Sequence, residues 1–281
     1  MNKPVAYISI GALLLSGLTS CWRDAGSTNN AIHFSVVHLN ETHHLQNDTS
    51  KPACNIQIEF SYPDSADQAQ LEELQNLFTE CTFDDSFVLL DPQQVPVQFT
   101  KLYVNEFQQT EAAKPAQSND EEEIEKKDDN GFACYIHLKN QLLFNQNGFI
   151  SFIVEKVSYN GGARCSKNVR GYVYNLRTGK LLQEEDFAGV NYTQNLSVAF
   201  VKKLAEANRL NNPDDLENLG YNSCREIVPN NNFTVDNKGI TYYFNEGEIG
   251  TSLIAFTQVF IPFDEALIYM KSDNPLAALH R

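Results

Sequence analysis

Positive charge is scarce in this chain. Only 21 Lys and Arg stand against 36 Asp and Glu in 281 residues, a formal net charge of −15. Nucleic acid and bare anionic lipid both need the opposite balance, so the composition excludes them as partners and suits a basic one. No Cys-x-x-Cys pair occurs, which removes zinc ribbons and thioredoxin-type redox motifs. A Gly-Lys-Ser/Thr phosphate loop leading into a helix is missing too, and with it the usual cradle for nucleotide phosphates. Past the N-terminus, no apolar run approaches the ~20 residues that a spanning helix requires. Strand and helix signals do not alternate regularly, so a doubly wound parallel sheet is not expected.

What the chain does have starts at its first residues. Lys3 is followed by an apolar stretch over residues 5–18, VAYISIGALLLSGL, too short for a permanent span and patterned as a targeting segment. Leu18-Thr19-Ser20-Cys21 resembles a bacterial lipobox, which implies cleavage before Cys21 and diacylation of its sulfur. Residues 1–20 then form a lipoprotein signal peptide, and lipid chains on Cys21 hold the protein at a membrane surface of the bacterial envelope, periplasmic or outer-membrane, without spanning it. Removing residues 1–20 takes away Lys3 alone, leaving 20 bases against 36 acids and a charge of −16.

Residues 21–50 are polar and weakly periodic, and read as a flexible tether. They contain His33, His38, His43 and His44, but a mobile tail cannot orient His38, Glu41, His43 and His44 as metal ligands, and no metal or cofactor is expected. From Cys54 the pattern becomes structured. NIQIEF at residues 55–60 alternates as a strand. A helix capped by Ser65 or Asp67 follows, with Leu71, Leu74, Leu77 and Phe78 on one face. A second helix starts near Pro96, with Phe99, Leu102, Tyr103 and Phe107 as its stripe. Residues 112–130, with seven acids and three lysines, form an acidic loop.

Strands at 132–144 and 149–159 meet at Asn147-Gly148, a hairpin signal. Another strand begins at Arg170 and turns through Arg177-Thr178-Gly179-Lys180. A helix from about 194 to 210 carries Leu196, Phe200 and Leu204 four apart. The stretch between the hairpin and the next strand, YNGGARCSKN at 159–168, leads into a strand rather than a helix and reads as a turn. A nucleophilic Cys165 would need a histidine base, and the candidate, His137, lies within a strand with nothing to bring the two together. Five cysteines remain after Cys21, namely Cys54, Cys81, Cys134, Cys165 and Cys224. An exporting compartment favours disulfides, the odd count leaves a free thiol, and Cys165 with Cys224 is the preferred pair because both adjoin predicted strands in one half.

The fold class expected is α+β, antiparallel sheets built from hairpins with a few packing helices, in two subdomains over residues 51–165 and 166–281. Gly161-Gly162-Ala163, Tyr172-Val173-Tyr174-Asn175-Leu176, Thr178-Gly179-Lys180-Leu181-Leu182, Glu185-Asp186-Phe187, Asn232-Phe233, Gly239-Ile240-Thr241-Tyr242-Tyr243-Phe244, Glu248-Ile249-Gly250 and Val259-Phe260-Ile261-Pro262-Phe263 resemble the RsiV-like extracytoplasmic domain. The preceding half is similar to the smaller PdaC/RsiV-type domain of lysozyme-sensing anti-sigma factors and certain peptidoglycan deacetylases. Arg164-Cys165 replaces the family's histidine after Gly-Gly-Ala, so no role of that histidine carries over. The resemblance implies a non-catalytic binding or sensing module whose partner is a lysozyme-like basic protein or peptidoglycan. The alternative is a peptidoglycan-directed hydrolase using paired carboxylates among Glu184, Glu185 and Asp186. In a strand only Glu184 and Asp186 would share a face, and solvated acids hold no proton near neutral pH, so no catalytic residue is assigned.

Overall fold

A computed structural model describes residues 29–113, 132–161 and 164–280. The architecture is α+β, with a six-stranded sheet and a three-stranded antiparallel one. The larger sheet runs in sequence order through β1 (His33–His44), β2 (Ala53–Ser65), β3 (Cys134–Gln146), β4 (Phe149–Tyr159), β5 (Ser166–Asn175) and β6 (Lys180–Leu181). All neighbours are antiparallel except β2 and β3, which are parallel. That departs from the hairpin-only sheet expected above. The cause is the long crossover between them, which contains α1 (Gln68–Thr82) and α2 (Val95–Ala113).

Alternation in β2 turns Cys54, Ile56, Ile58 and Phe60 inward, where all are buried beneath the two helices. Leu74 and Phe78 of α1 reach the same core, and the Phe78 ring stacks on Phe152 at a centroid distance of 4.1 Å. In α2 the buried stripe falls on Phe99, Tyr103, Val104 and Phe107, whereas Leu102 points to solvent. At the β3–β4 hairpin Asn147 and Gly148 both have positive φ, 55° and 81°, as a primed two-residue turn demands.

The expected tether is corrected over most of its length. Residues 33–44 pair with all of β2, and Asn30 grips the β3–β4 hairpin, donating to Asn145 Oδ1 at 2.9 Å and accepting from Gly148 N at 2.9 Å. Val37 and Leu39 face the core while His38 and Asn40 face out, a strand alternation concealed by the polar composition.

The boundary expected near residue 165 does not exist, because β4 and β5 pair from one end to the other across it. The change of layer comes after β6. There the short helix α3 (Glu184–Phe187) and α4 (Tyr192–Ala207) lead to the smaller sheet, β7 (Phe233–Val235), β8 (Gly239–Phe244) and β9 (Thr257–Pro262), and to the short helix α5 (Phe263–Ala266). Leu196, Phe200 and Leu204 of α4 are buried, as their spacing requires, with the Phe200 ring edge-on to Tyr242 and Phe244.

The smaller sheet docks on β5 through asparagine side chains. Asn232 Oδ1 accepts from Gly171 N at 2.7 Å and its Nδ2 donates to Val169 O at 2.9 Å. Asn245 Oδ1 accepts from Val169 N at 2.7 Å. Two buried amides thereby satisfy strand groups that no sixth-strand neighbour reaches, since β6 pairs only with Tyr174 and Asn175. Gly171 permits the approach, because a Cβ there would lie 2.6 Å from the Phe233 carbonyl oxygen.

Candidate functional site

Helices cover one face of the larger sheet, and the side chains that alternate to the other face form ordered rows. One row runs His38, Glu59, Lys139, Glu155 across β1 to β4, all register partners. Charges alternate along it. Lys139 Nζ lies 2.9 Å from Glu59 Oε1, and Glu155 Oε2 lies 2.7 Å from Lys167 Nζ of β5. Between 36% and 44% of each of these four side chains remains exposed, so the row is accessible from solvent.

The next row is Asn40, Gln57, His137, Val157 and Lys167, and a third holds Thr42, Asn55, Tyr135 and Tyr159. The first two rows line an open depression on this face. In the third, Tyr135 packs on Tyr159 at 5.9 Å and on His137 at 5.0 Å. Asn55 is buried and its Nδ2 donates to Thr42 Oγ1 at 3.1 Å, yet its Oδ1 accepts no hydrogen bond from the described residues. Amides, carboxylates, an ammonium and an imidazole therefore stand on one rigid platform, a surface suited to polar recognition. Sequence reasoning missed it, because the rows exist only once the parallel β2–β3 pairing sets the register.

The predicted site residues are dispersed. Cys21 lies outside the described residues, as does the acidic loop from residue 114 onward. The expected Cys165–Cys224 bridge is corrected: the disulfide joins Cys54 and Cys134, register partners whose Cα atoms are 4.7 Å apart. Cys165 and Cys224 are free thiols, the first exposed at the entry to β5, the second beside Pro213 on the α4 side. Cys81 is free as well, and burial pushes its thiol up to about 12.

His137 does not reach Cys165, because β4 separates their strands and two strand spacings amount to ~9.6 Å. In YNGGARCSKN, Asn160 accepts from Tyr103 Oη at 3.1 Å, Gly161 takes φ 75°, and Arg164 lies 3.8 Å from Glu246; Gly162 and Ala163 fall outside the described residues. The tail histidines separate by face, with His43 Nε2 within 2.7 Å of Glu41 Oε2 on one side of β1 and His38 on the other. Among the described residues no group of three His, Cys, Asp or Glu could hold a metal.

Residues 182–264 match the family described as a protein of unknown function, DUF3298. They form a DUF3298 domain. Its start coincides with the end of β6, where the fold changes layer. Two solved structures are similar over nearly the whole chain. A DUF3298 family member from Bacteroides fragilis NCTC 9343 superposes with a TM-score of 0.77 at 23% identity, covering 90% of this chain and 98% of its own. A DUF3298 family protein from Pseudomonas aeruginosa PAO1 gives a TM-score of 0.58 at 12% identity, with coverage of 87% and 96%. At these identities the likeness establishes the shared fold. No curated protein matches the chain.

Within the DUF3298 domain, Glu184, Glu185 and Asp186 occupy α3 rather than a strand. Asp186 is turned to its own helix end, accepting from Gln183 N at 2.8 Å. Glu184 turns inward, accepting from Asn231 N at 2.7 Å beside the buried hydroxyls of Tyr242 and Tyr192, which are 2.6 Å apart. Desolvation raises the Glu184 carboxyl above its ordinary value, against the Asn231 and Tyr242 hydrogen bonds. A raised carboxyl contributes stability that is complete at low pH and lost as pH rises through its folded value. Glu184→Gln keeps an acceptor for Asn231 and removes the charge. Its urea midpoint is expected to fall less than the parent's as pH climbs from 4.5, and an identical pH profile would show that the charge is not desolvated.

Proposed function

We propose that this chain is a non-catalytic binding or sensing lipoprotein of the bacterial envelope, and that a lysozyme-like basic protein docks on the helix-free face of its larger sheet. The observation that carries this reading is the exposed row His38, Glu59, Lys139, Glu155. Its two carboxylates are held by Lys139 and Lys167, so a basic partner would engage them by exchanging these exposed ion pairs, on a chain whose net charge is −15. The similarity of the 160–270 region to lysozyme-sensing ectodomains points the same way, and the Cys54–Cys134 disulfide suits an oxidising compartment. Lipidation at Cys21 would leave only residues 21–28 before Asn29, which bridges to Gln146. Eight residues reach ~29 Å at most, so the β3–β4 hairpin would stand close to the membrane. The hydrolase reading is weaker, since Asp186 and Glu184 both turn to protein donors instead of flanking a shared cleft.

Calorimetry against a lysozyme, at low and at physiological salt, tests the proposal. Saturable heat that survives physiological salt, and that weakens about tenfold or more in Glu59→Lys/Glu155→Lys, is the expected result. Heat that vanishes with salt would reduce the interaction to net charge. Sedimentation with insoluble peptidoglycan in place of lysozyme binding would transfer the face to the polymer.

A further inference from the structure

The outer edge of β1 borders a groove lined by Glu41, His43, Val97, Thr100, Lys101 and Val104. Among the described residues, β1 is the terminal strand of the larger sheet and nothing pairs with its outer side. A twelve-residue edge presents a long row of main-chain donors and acceptors, and natural edges of this kind are blunted by Lys, Pro or an inward charge. HFSVVHLNETHH contains neither Lys nor Pro, and its one charge on the helix side, Glu41, sits opposite Lys101 in the groove. Above it, Val97, Thr100, Lys101 and Val104 of α2 follow i, i+3, i+4, i+7 spacing along the groove, with Val97 and Lys101 exposed, Val104 half-buried against the core and Thr100 buried. Val97 is 37% exposed, and the buried Thr100 hydroxyl has no hydrogen-bond partner among the described residues.

We propose that this strip is a self-association surface, on which a second copy of the chain pairs its own β1 antiparallel and lays its own α2 alongside. Three features favour a second copy. First, one two-fold axis normal to the sheet satisfies strand edge and helix stripe together. Because α2 packs across β1 and β2, the operation brings the two α2 axes about two strand spacings apart, ~9.6 Å, within the 8–10 Å of packed helices. Second, Glu41 and Lys101 balance one another, so the strip is locally neutral on a chain of net charge −15. Elsewhere two acidic copies would repel. Third, an edge ~40 Å long and ~15 Å deep gives roughly 600 Å2 per copy, about 1,200 Å2 in all, the lower bound for stable complexes.

Sedimentation velocity of the purified chain tests this, with Val97→Glu and Val97→Lys measured alone and mixed. A parent dimer at micromolar concentration is expected. Each variant should raise the dissociation constant at least about tenfold while its circular dichroism is unchanged, and the mixture should recover dimer through opposite charges. A parent that stays monomeric at about 100 μM overturns the proposal. A dimer indifferent to both variants does the same. A monomeric parent whose lysozyme binding is lost in Val97→Glu would assign the strip to the basic partner, and would also overturn it.

Discussion

Asn232→Ala is expected to lower the stability of the protein by about 2–4 kcal/mol, which is large for a change that removes no apolar contact. The loss comes chiefly from Gly171 N, since the Val169 carbonyl keeps a donor in Asn245 Nδ2 at 3.1 Å. Gly171 N and Val169 O lie in a strand whose outer edge has no strand partner at that point, and Asn232 bonds both, at 2.7 and 2.9 Å, from a fully buried position. Alanine leaves a buried donor without an acceptor, and each such group costs ~1–3 kcal/mol. Asn245 cannot replace it for Gly171, because its own Oδ1 is engaged by Val169 N. Asn232→Asp is the informative companion. It retains an acceptor for Gly171 but sets a carboxylate oxygen against the Val169 carbonyl, so it should be no milder than alanine. Urea unfolding of the three proteins measures the effect, and a difference below about 1 kcal/mol would show that the smaller sheet does not depend on this junction.

The same junction explains what could be read from sequence. Local chemistry was legible. Asn147-Gly148 requires positive φ at two successive residues and has it, and the four-residue spacing of Leu196, Phe200 and Leu204 buries all three. Features set by distant residues were not. Nothing in Asn232 or Asn245 announces that their amides will end up against β5, over 60 residues earlier. β1 was concealed because an edge strand buries one face only and fills the other with His and Asn. Without β1, and without the parallel β2–β3 register, the row His38, Glu59, Lys139, Glu155 cannot be assembled from sequence. The carboxylates Glu184 and Asp186 were visible as residues, but their roles depend on a helix of four residues and on Asn231, 47 positions away.

Replacing Cys54 and Cys134 together by alanine is expected to cost roughly 4 kcal/mol, comparable to the Asn232 effect but with a different origin. The bridge closes a loop of sequence separation 80, and chain-entropy arguments give about 4 kcal/mol for a loop of that size. Their places beside predicted strands in one half of the chain favour Cys165 with Cys224. Register decides otherwise, because β2 and β3 start side by side with Cys54 opposite Cys134 and both sulfurs in the core under α1 and α2. Both helices, α1 and α2, lie in the chain between them. The bridge limits how far the unfolded chain can separate those strands. A fall in melting temperature of about 10 °C is therefore expected in the double variant, and the same fall in the parent under reducing conditions. Hydrogen exchange adds a second readout, since loss of the bridge should expose β2 and β3 amides more than those of β8, which pairs with β7 and β9 in the other layer. Equal melting with and without reductant would mean that β2 and β3 hold their parallel register by hydrogen bonds and packing alone, and that the disulfide adds nothing to it.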